Sequence, residues 1–153
     1  MRIIDYRFSI REGVKWLPEQ NTDVFMVTLN KSDKDYSPTT MYEDYSLSDN
    51  LFHWQSQSTT SDTSATGQRY ISHVENGSKV LLFVREFKKN ALGTAPYTFL
   101  GPVEYVSHNG SRPMNIVWKL RYKIPAKYLK QTNLIDIYYP PFWLIYPEPK
   151  LGF

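Results

Sequence analysis

Apolar and polar residues alternate along most of this chain and helical periodicity is scarce, so strands are the expected elements. Residues 23–30 (DVFMVTLN) form a compact run in which Val24, Met26 and Thr28 share one face and Phe25, Val27 and Leu29 the other. Both faces read as buried, which predicts a central strand. Residues 79–87 (KVLLFVREF) are the clearest strand, entered through the turn signal Asn76-Gly77. Residues 97–108 (YTFLGPVEYVSH) predict a long strand, broken or bulged near Gly101-Pro102. Asn109-Gly110 signals a hairpin, and residues 114–124 (MNIVWKLRYKI) return from it. There Met114, Ile116, Trp118 and Leu120 point inward, while Asn115, Val117, Lys119 and Arg121 alternate with them. Pro125 suits a first helical position and predicts one short helix over PAKYLK.

The connecting segments differ in kind. Residues 31–40 (KSDKDYSPTT) are turn chemistry, with Pro38 pushing Ser37 toward extended geometry. Residues 41–57 (MYEDYSLSDNLFHWQSQ) are aromatic but polar and do not read as core. Residues 58–67 carry seven Ser/Thr in ten positions, which predicts a loop. The elements together predict an α+β, mostly β protein: a mixed, mostly antiparallel sheet curled into a small barrel, with one or two short helices. Residues 1–130 make that domain. Residues 131–153 are a Pro/aromatic-rich arm, in which 134–153 alone hold four of the ten prolines and six aromatics. That proline content excludes a helix or a central strand.

Composition sharpens this picture in three ways. At 153 residues the chain has the length of one domain, large enough to hide roughly two-thirds of its unfolded surface. The absence of cysteine removes disulfides, thiol nucleophiles and Cys-type zinc sites. The 12 Tyr, 8 Phe and 4 Trp suit strands and offer flat rings to flat partners. Charge is uneven: residues 1–76 hold 7 Lys/Arg against 11 Asp/Glu, residues 77–153 hold 11 against 4. A basic half of this kind can face a polyanion. The charged N-terminal residues do not read as a signal peptide, and no apolar run approaches the roughly 18 residues of a membrane span. A soluble, cytoplasmic protein is expected.

Catalytic signatures are thin. His53, His73 and His108 lack paired ligand spacing, so no metal site is expected. Neither a nucleophile elbow nor a phosphate-binding glycine loop is present, so no cofactor is expected. An acid-x-Lys pair, Glu86 and Lys88 at a strand end with Asp62 upstream, could hold Mg²⁺ as a nuclease centre and stands as the enzymatic alternative. The richer constellation lies in residues 36–57, where Tyr36, Tyr42, Tyr45, Phe52 and Trp54 interleave with Glu43, Asp44, Asp49, His53 and Gln55. Rings to sandwich a heterocycle, and polar groups for its edge, are what a base pocket needs. A carboxylate accepts from an exocyclic amine and so favours cytosine or adenine.

The blocks FMVTLNKSDKDYSPTTMYEDYSLS, LFHWQSQSTTS, TGQRYISH, GSKVLLFVRE, PYTFLGPVEYVSH and GSRPMNIVWKL, within residues 11–129, resemble the C-terminal domain of bacterial modification-dependent (Type IV) restriction helicases. In those proteins the domain follows a phospholipase-D-type nuclease and a superfamily 2 helicase. The resemblance implies an SRA-like, PUA-like curled β-barrel without catalytic activity of its own, which flips 5-methylcytosine or 5-hydroxymethylcytosine out of duplex DNA. It implies partners in the helicase and nuclease modules, in cis or in trans, and a role in restricting modified phage or foreign DNA. By residue type, Tyr42, Asp44, Tyr45, His53, Trp54 and Gln55 are the candidate base pocket. Arg85, Lys88, Lys89, Arg112, Lys119, Arg121 and Lys123 are the candidate backbone contacts. A reader of modified adenine or of RNA is a further alternative, since aromatic cages accept many bases.

Overall fold

The computed structural model describes residues 13–30 and 44–129. Tyr42, the turn at 31–40 and the C-terminal arm lie outside these residues. Strands β1 (Val14–Leu17), β2 (Thr22–Thr28), β3 (Tyr45–Ser46) and β4 (Leu51–Gln55) precede helix α1 (Ala65–Ile71). After it come β5 (Lys79–Arg85), a short ribbon of β6 (Lys89–Asn90) and β7 (Gly93–Thr94), the long β8 (Thr98–Asn109), β9 (Asn115–Leu120) and α2 (Ala126–Leu129). Seven strands form one sheet in the order β1-β2-β5-β8-β9-β4-β3. Only β2 and β5 run parallel within it; the other neighbours are antiparallel.

The strongest alternations land where they are expected. β2 is buried on both faces except at Met26. Met114, Ile116, Trp118 and Leu120 are all buried on the inner face. The β8–β9 hairpin turns at Gly110, where φ is +77°, and α2 follows Pro125. β8 loses register against β5 beside Gly101, so that Leu100 is an extra residue, and again against β9 at Val106. Gly101 itself lies under the Tyr122 ring, where a Cβ would come within 2.9 Å of it.

One ring pair shows how far the sheet curls. Phe25 of β2 stacks on Trp54 of β4 with centroids 4.1 Å apart and planes 8° apart. Three strands separate β2 from β4 in the sheet order, about 19 Å in a flat sheet. The sheet therefore wraps its inner face around one core, with Trp118 and Tyr70 meeting the Phe25 ring edge-on. The expected closure into a barrel does not occur among the described residues, because the sheet ends at β1 and β3 without pairing them. The terminal strands, four and two residues long, offer too little ladder to close it. Tyr70 of α1 fills the space instead, edge-on to both Phe25 and Trp54.

Two further expectations are corrected. Residues 41–57 were expected outside the core, yet Phe52 and Trp54 are 2% and 3% exposed. Leu51-Phe52-His53-Trp54-Gln55 is a period-two strand with its polar members on the other face, and that pattern outweighs the segment's overall polarity. Residues 58–67 are a loop only as far as Ser64. There the Ser64 hydroxyl accepts from the Gly67 N–H at 3.1 Å and starts α1. Gly67 lets the helix sit against the loop: a Cβ there would collide with the Ser61 carbonyl oxygen. We expect Gly67→Ala to lower stability by up to about 2 kcal/mol, because an overpacking cost of about 1–3 kcal/mol outweighs alanine's propensity gain of about 1 kcal/mol. Urea denaturation measures it.

Candidate nucleic-acid interface

Strand parity divides the candidate pocket. Tyr45 pairs with His53, and His53 with Val117, so these side chains share the outer face of β3–β4–β9. The Tyr45 and His53 rings stack with centroids 4.5 Å apart and planes 15° apart. One step along β4, the Gln55 side-chain amide donates to Asn115 Oδ1 at 3.3 Å, and Asn115 Nδ2 donates to the Asn109 carbonyl at 3.4 Å. At the other end, Leu51 is level with Lys119 and Lys119 with Glu104. An amide pair, an aromatic pair and a lysine thus lie in that order along one sheet face.

Two members of the set do other work. Trp54 lies at the opposite parity, in the core against Phe25, so it cannot wall a pocket on this face; that expectation is corrected. Asp44 is buried, and its Oδ1 accepts the Gln55 backbone N–H at 2.9 Å, continuing the β3–β4 ladder beyond the strand. The structure thus brings Tyr45, His53 and Gln55 together with Asp44 at their border. It adds Asn115, which the sequence reading placed on the outward face without a role.

The cations also divide. Arg112, Lys119, Arg121 and Lys123 are exposed on the hairpin, β9 and the turn after it. No Asp or Glu occurs from residue 105 to 129. Pro102, Glu104, Lys119, Leu120 and Arg121 line a shallow cavity of about 150 Å³. Lys123 Nζ is 3.7 Å from Asp49 Oδ2, a solvent-screened pair. Lys88 and Lys89 lie elsewhere, at the ribbon beyond the far end of β5.

Arg85 is corrected outright. It is 8% exposed, its Nε donates to Thr28 Oγ1 at 2.8 Å, its Nη1 donates to the Ala95 carbonyl at 3.0 Å, and it lies 4.2 Å from the Tyr97 ring centroid. A guanidinium so engaged anchors the ribbon to the sheet and is withheld from a phosphate.

The acid-x-Lys centre is not assembled. Glu86 follows β5 near the start of β8, with its carboxylate 3.8 Å from Lys127 Nζ. Asp62 Oδ2 is 3.4 Å from Nε2 of His108, near the other end of β8. Ten residues of strand separate those ends, about 30 Å. Among the described residues no group of three or more His, Asp or Glu is placed to hold a metal ion.

Two polar arrangements escaped sequence reading. His73 is buried; its Nε2 accepts the Tyr105 backbone N–H at 3.0 Å, so Nδ1 carries the proton and donates to the Ser78 carbonyl at 3.2 Å. His108 Nδ1 meets the Tyr105 hydroxyl at 2.7 Å, completing a chain Asp62–His108–Tyr105, and burial raises the Tyr105 phenol above its ordinary value. The bulge at Val106 puts both rings on one face, a signal no composition count carries.

Among the described residues no helix is long and apolar enough to cross a membrane. The family described as Domain of unknown function (DUF3427) matches residues 7–131. No curated protein matches the chain.

Proposed function

We propose that this protein, which belongs to the DUF3427 family, is a DNA-binding module that holds a 5-methylcytosine or 5-hydroxymethylcytosine swung out of the duplex. It acts by binding, as the target-recognition part of a cytoplasmic restriction system whose helicase and nuclease are supplied in cis or in trans. The observation that carries this reading is the Tyr45–His53 ring pair beside the Gln55–Asn115 amides. The rings supply a stacking surface, and the amides carry both donors and acceptors for a base edge. The acid-free run with Arg112, Lys119, Arg121 and Lys123 supports the phosphates of the same duplex.

Magnitudes constrain such a reader. Flipping a base costs a few kcal/mol, and stacking returns about 1–3 kcal/mol. One buried methyl adds only about 0.8 kcal/mol. Selectivity therefore needs pocket shape as well, where a methyl-sized fit reaches about 1–3 kcal/mol. The test is fluorescence anisotropy on one duplex carrying cytosine, 5-methylcytosine or 5-hydroxymethylcytosine, with the salt held constant. We expect at least tenfold tighter binding to a modified version, a preference that Tyr45→Ala removes. Lys119→Ala should weaken all three duplexes alike and flatten the salt dependence. Equal binding to all three by the unaltered protein would sink the reading.

A further inference from the structure

The other end of the outer face carries a second surface, and it has no counterpart in the modified-base reading. Met26, Phe83 and Phe99 are level across β2, β5 and β8, and the Phe83 and Phe99 rings lie 4.7 Å apart, tilted by 31°. Phe99 is 52% exposed and Phe87, just past β5, is 54% exposed. The adjacent row is Thr28, Arg85 and Tyr97, locked by the hydrogen bonds and ring contact of the buried guanidinium. Above it stands the β6–β7 ribbon, held by the Ala95 N–H donating to the Lys88 carbonyl at 2.9 Å. Its turn is fixed by Asn90 Oδ1, which accepts the Leu92 N–H at 2.8 Å.

Charge identifies the occupant. Residues 87–103 contain Lys88 and Lys89 and no acid. The nearest carboxylate in sequence, Glu86, faces Lys127. Protein interfaces deplete lysine around their apolar centre. Rings with lysines alongside are instead the pattern of single-strand binding, in which bases stack on aromatic faces and cations follow the backbone. A paired base has both faces covered within the duplex, so half-exposed phenyl rings are open to unpaired bases.

We propose that the Phe83–Phe99 ring pair, with Phe87 just past the end of β5 and Lys89 on the ribbon that follows it, forms a binding site for single-stranded nucleic acid. It lies toward the opposite end of β8 from Ser107, which is level through Val117 with the Tyr45–His53 pair, and it stands or falls independently of the modified-base reading.

The test is anisotropy of fluorescein-labelled dT15 and U15 with the full chain at about 50 mM salt, the two arms separating DNA from RNA. Binding of either oligonucleotide is expected. Phe99→Ala and Phe87→Ala should each weaken it about tenfold, the loss of one stacked base. Phe99→Trp should retain it, and circular dichroism should show every variant folded. Lys89→Ala should reduce the dependence of log affinity on log salt by about 0.7. Modified-duplex binding should be unchanged in Phe99→Ala. Failure of the unaltered protein to bind both oligonucleotides, or equal binding by the alanine variants, overturns the proposal. So does sedimentation showing self-association that Phe99→Ala abolishes while dT15 affinity stays constant, since the patch is then a protein interface.

Discussion

Arg69→Ala will destabilise the fold by about 3–5 kcal/mol, the cost of leaving a buried charge without its partner. Asp23 is fully buried on β2, and Arg69 of α1 reaches it through two bonds, Nε to Oδ2 at 2.8 Å and Nη2 to Oδ1 at 3.0 Å. Its guanidinium also lies 4.2 Å from the Trp16 ring centroid, so one side chain ties α1 to β1 and β2. Burial holds the Asp23 carboxyl above the ordinary carboxylate range, although the hydrogen bond and charge of Arg69 pull the other way. A carboxyl raised in the folded state favours folding when protonated. Its contribution is complete below the unfolded value, near pH 4, and is lost as pH rises through the folded value. Without Arg69 the carboxyl rises further, so the deficit of Arg69→Ala should be largest near pH 7 and shrink toward pH 5. Urea denaturation at both pH values measures it. Adding Asp23→Asn to Arg69→Ala should recover part of the loss at neutral pH. If the double variant is no more stable than Arg69→Ala, the stability came from Arg69 packing on Trp16 and the charge argument is wrong.

That ion pair also marks where sequence reading stops. Strands β2, β5, β8 and β9 were legible because each obeys a local rule, β2 as an apolar run and β9 by its alternation of Met114, Ile116, Trp118 and Leu120; so were the hairpin, by Asn109-Gly110, and α2, by Pro125, whereas β1, β3 and β4 were not. What joins residues far apart in the chain was not legible. Asp23 and Arg69 are 46 positions apart, and nothing in the local sequence of either points to the other. Arg85 ends a strand as an exposed phosphate contact would, and only the returning Ala95–Tyr97 segment shows that it is enclosed. Barrel closure depends on the length of the terminal strands, which hydrophobic pattern predicts only loosely. The outer-face pair of Tyr45 and His53 was half legible. The residue types were recognised, but the face each occupies depends on a register that the sequence of β3 alone, two residues long, does not define.

Trp54 and His53 are adjacent on β4 and point to opposite faces, and this gives the second large effect. Trp54→Ala removes an indole that is 3% exposed and stacked on Phe25, and should cost about 3–5 kcal/mol, as large-to-small changes at aromatic core sites do. His53→Ala removes a half-buried ring from the outer face and should leave stability within about 1 kcal/mol, in the range of substitutions away from the core. Binding should show the reverse order. At a temperature well below its lowered unfolding midpoint, Trp54→Ala should bind modified duplex with unchanged affinity per folded molecule, because its ring faces away from the proposed base site. His53→Ala should lose the preference for modified cytosine while melting almost normally. Thermal denaturation and anisotropy on the same two preparations separate these outcomes. A Trp54→Ala protein that stays folded yet loses the preference would place the base on the inner face, between β2 and β4. A His53→Ala protein that keeps the preference would remove the Tyr45–His53 pair from the binding site.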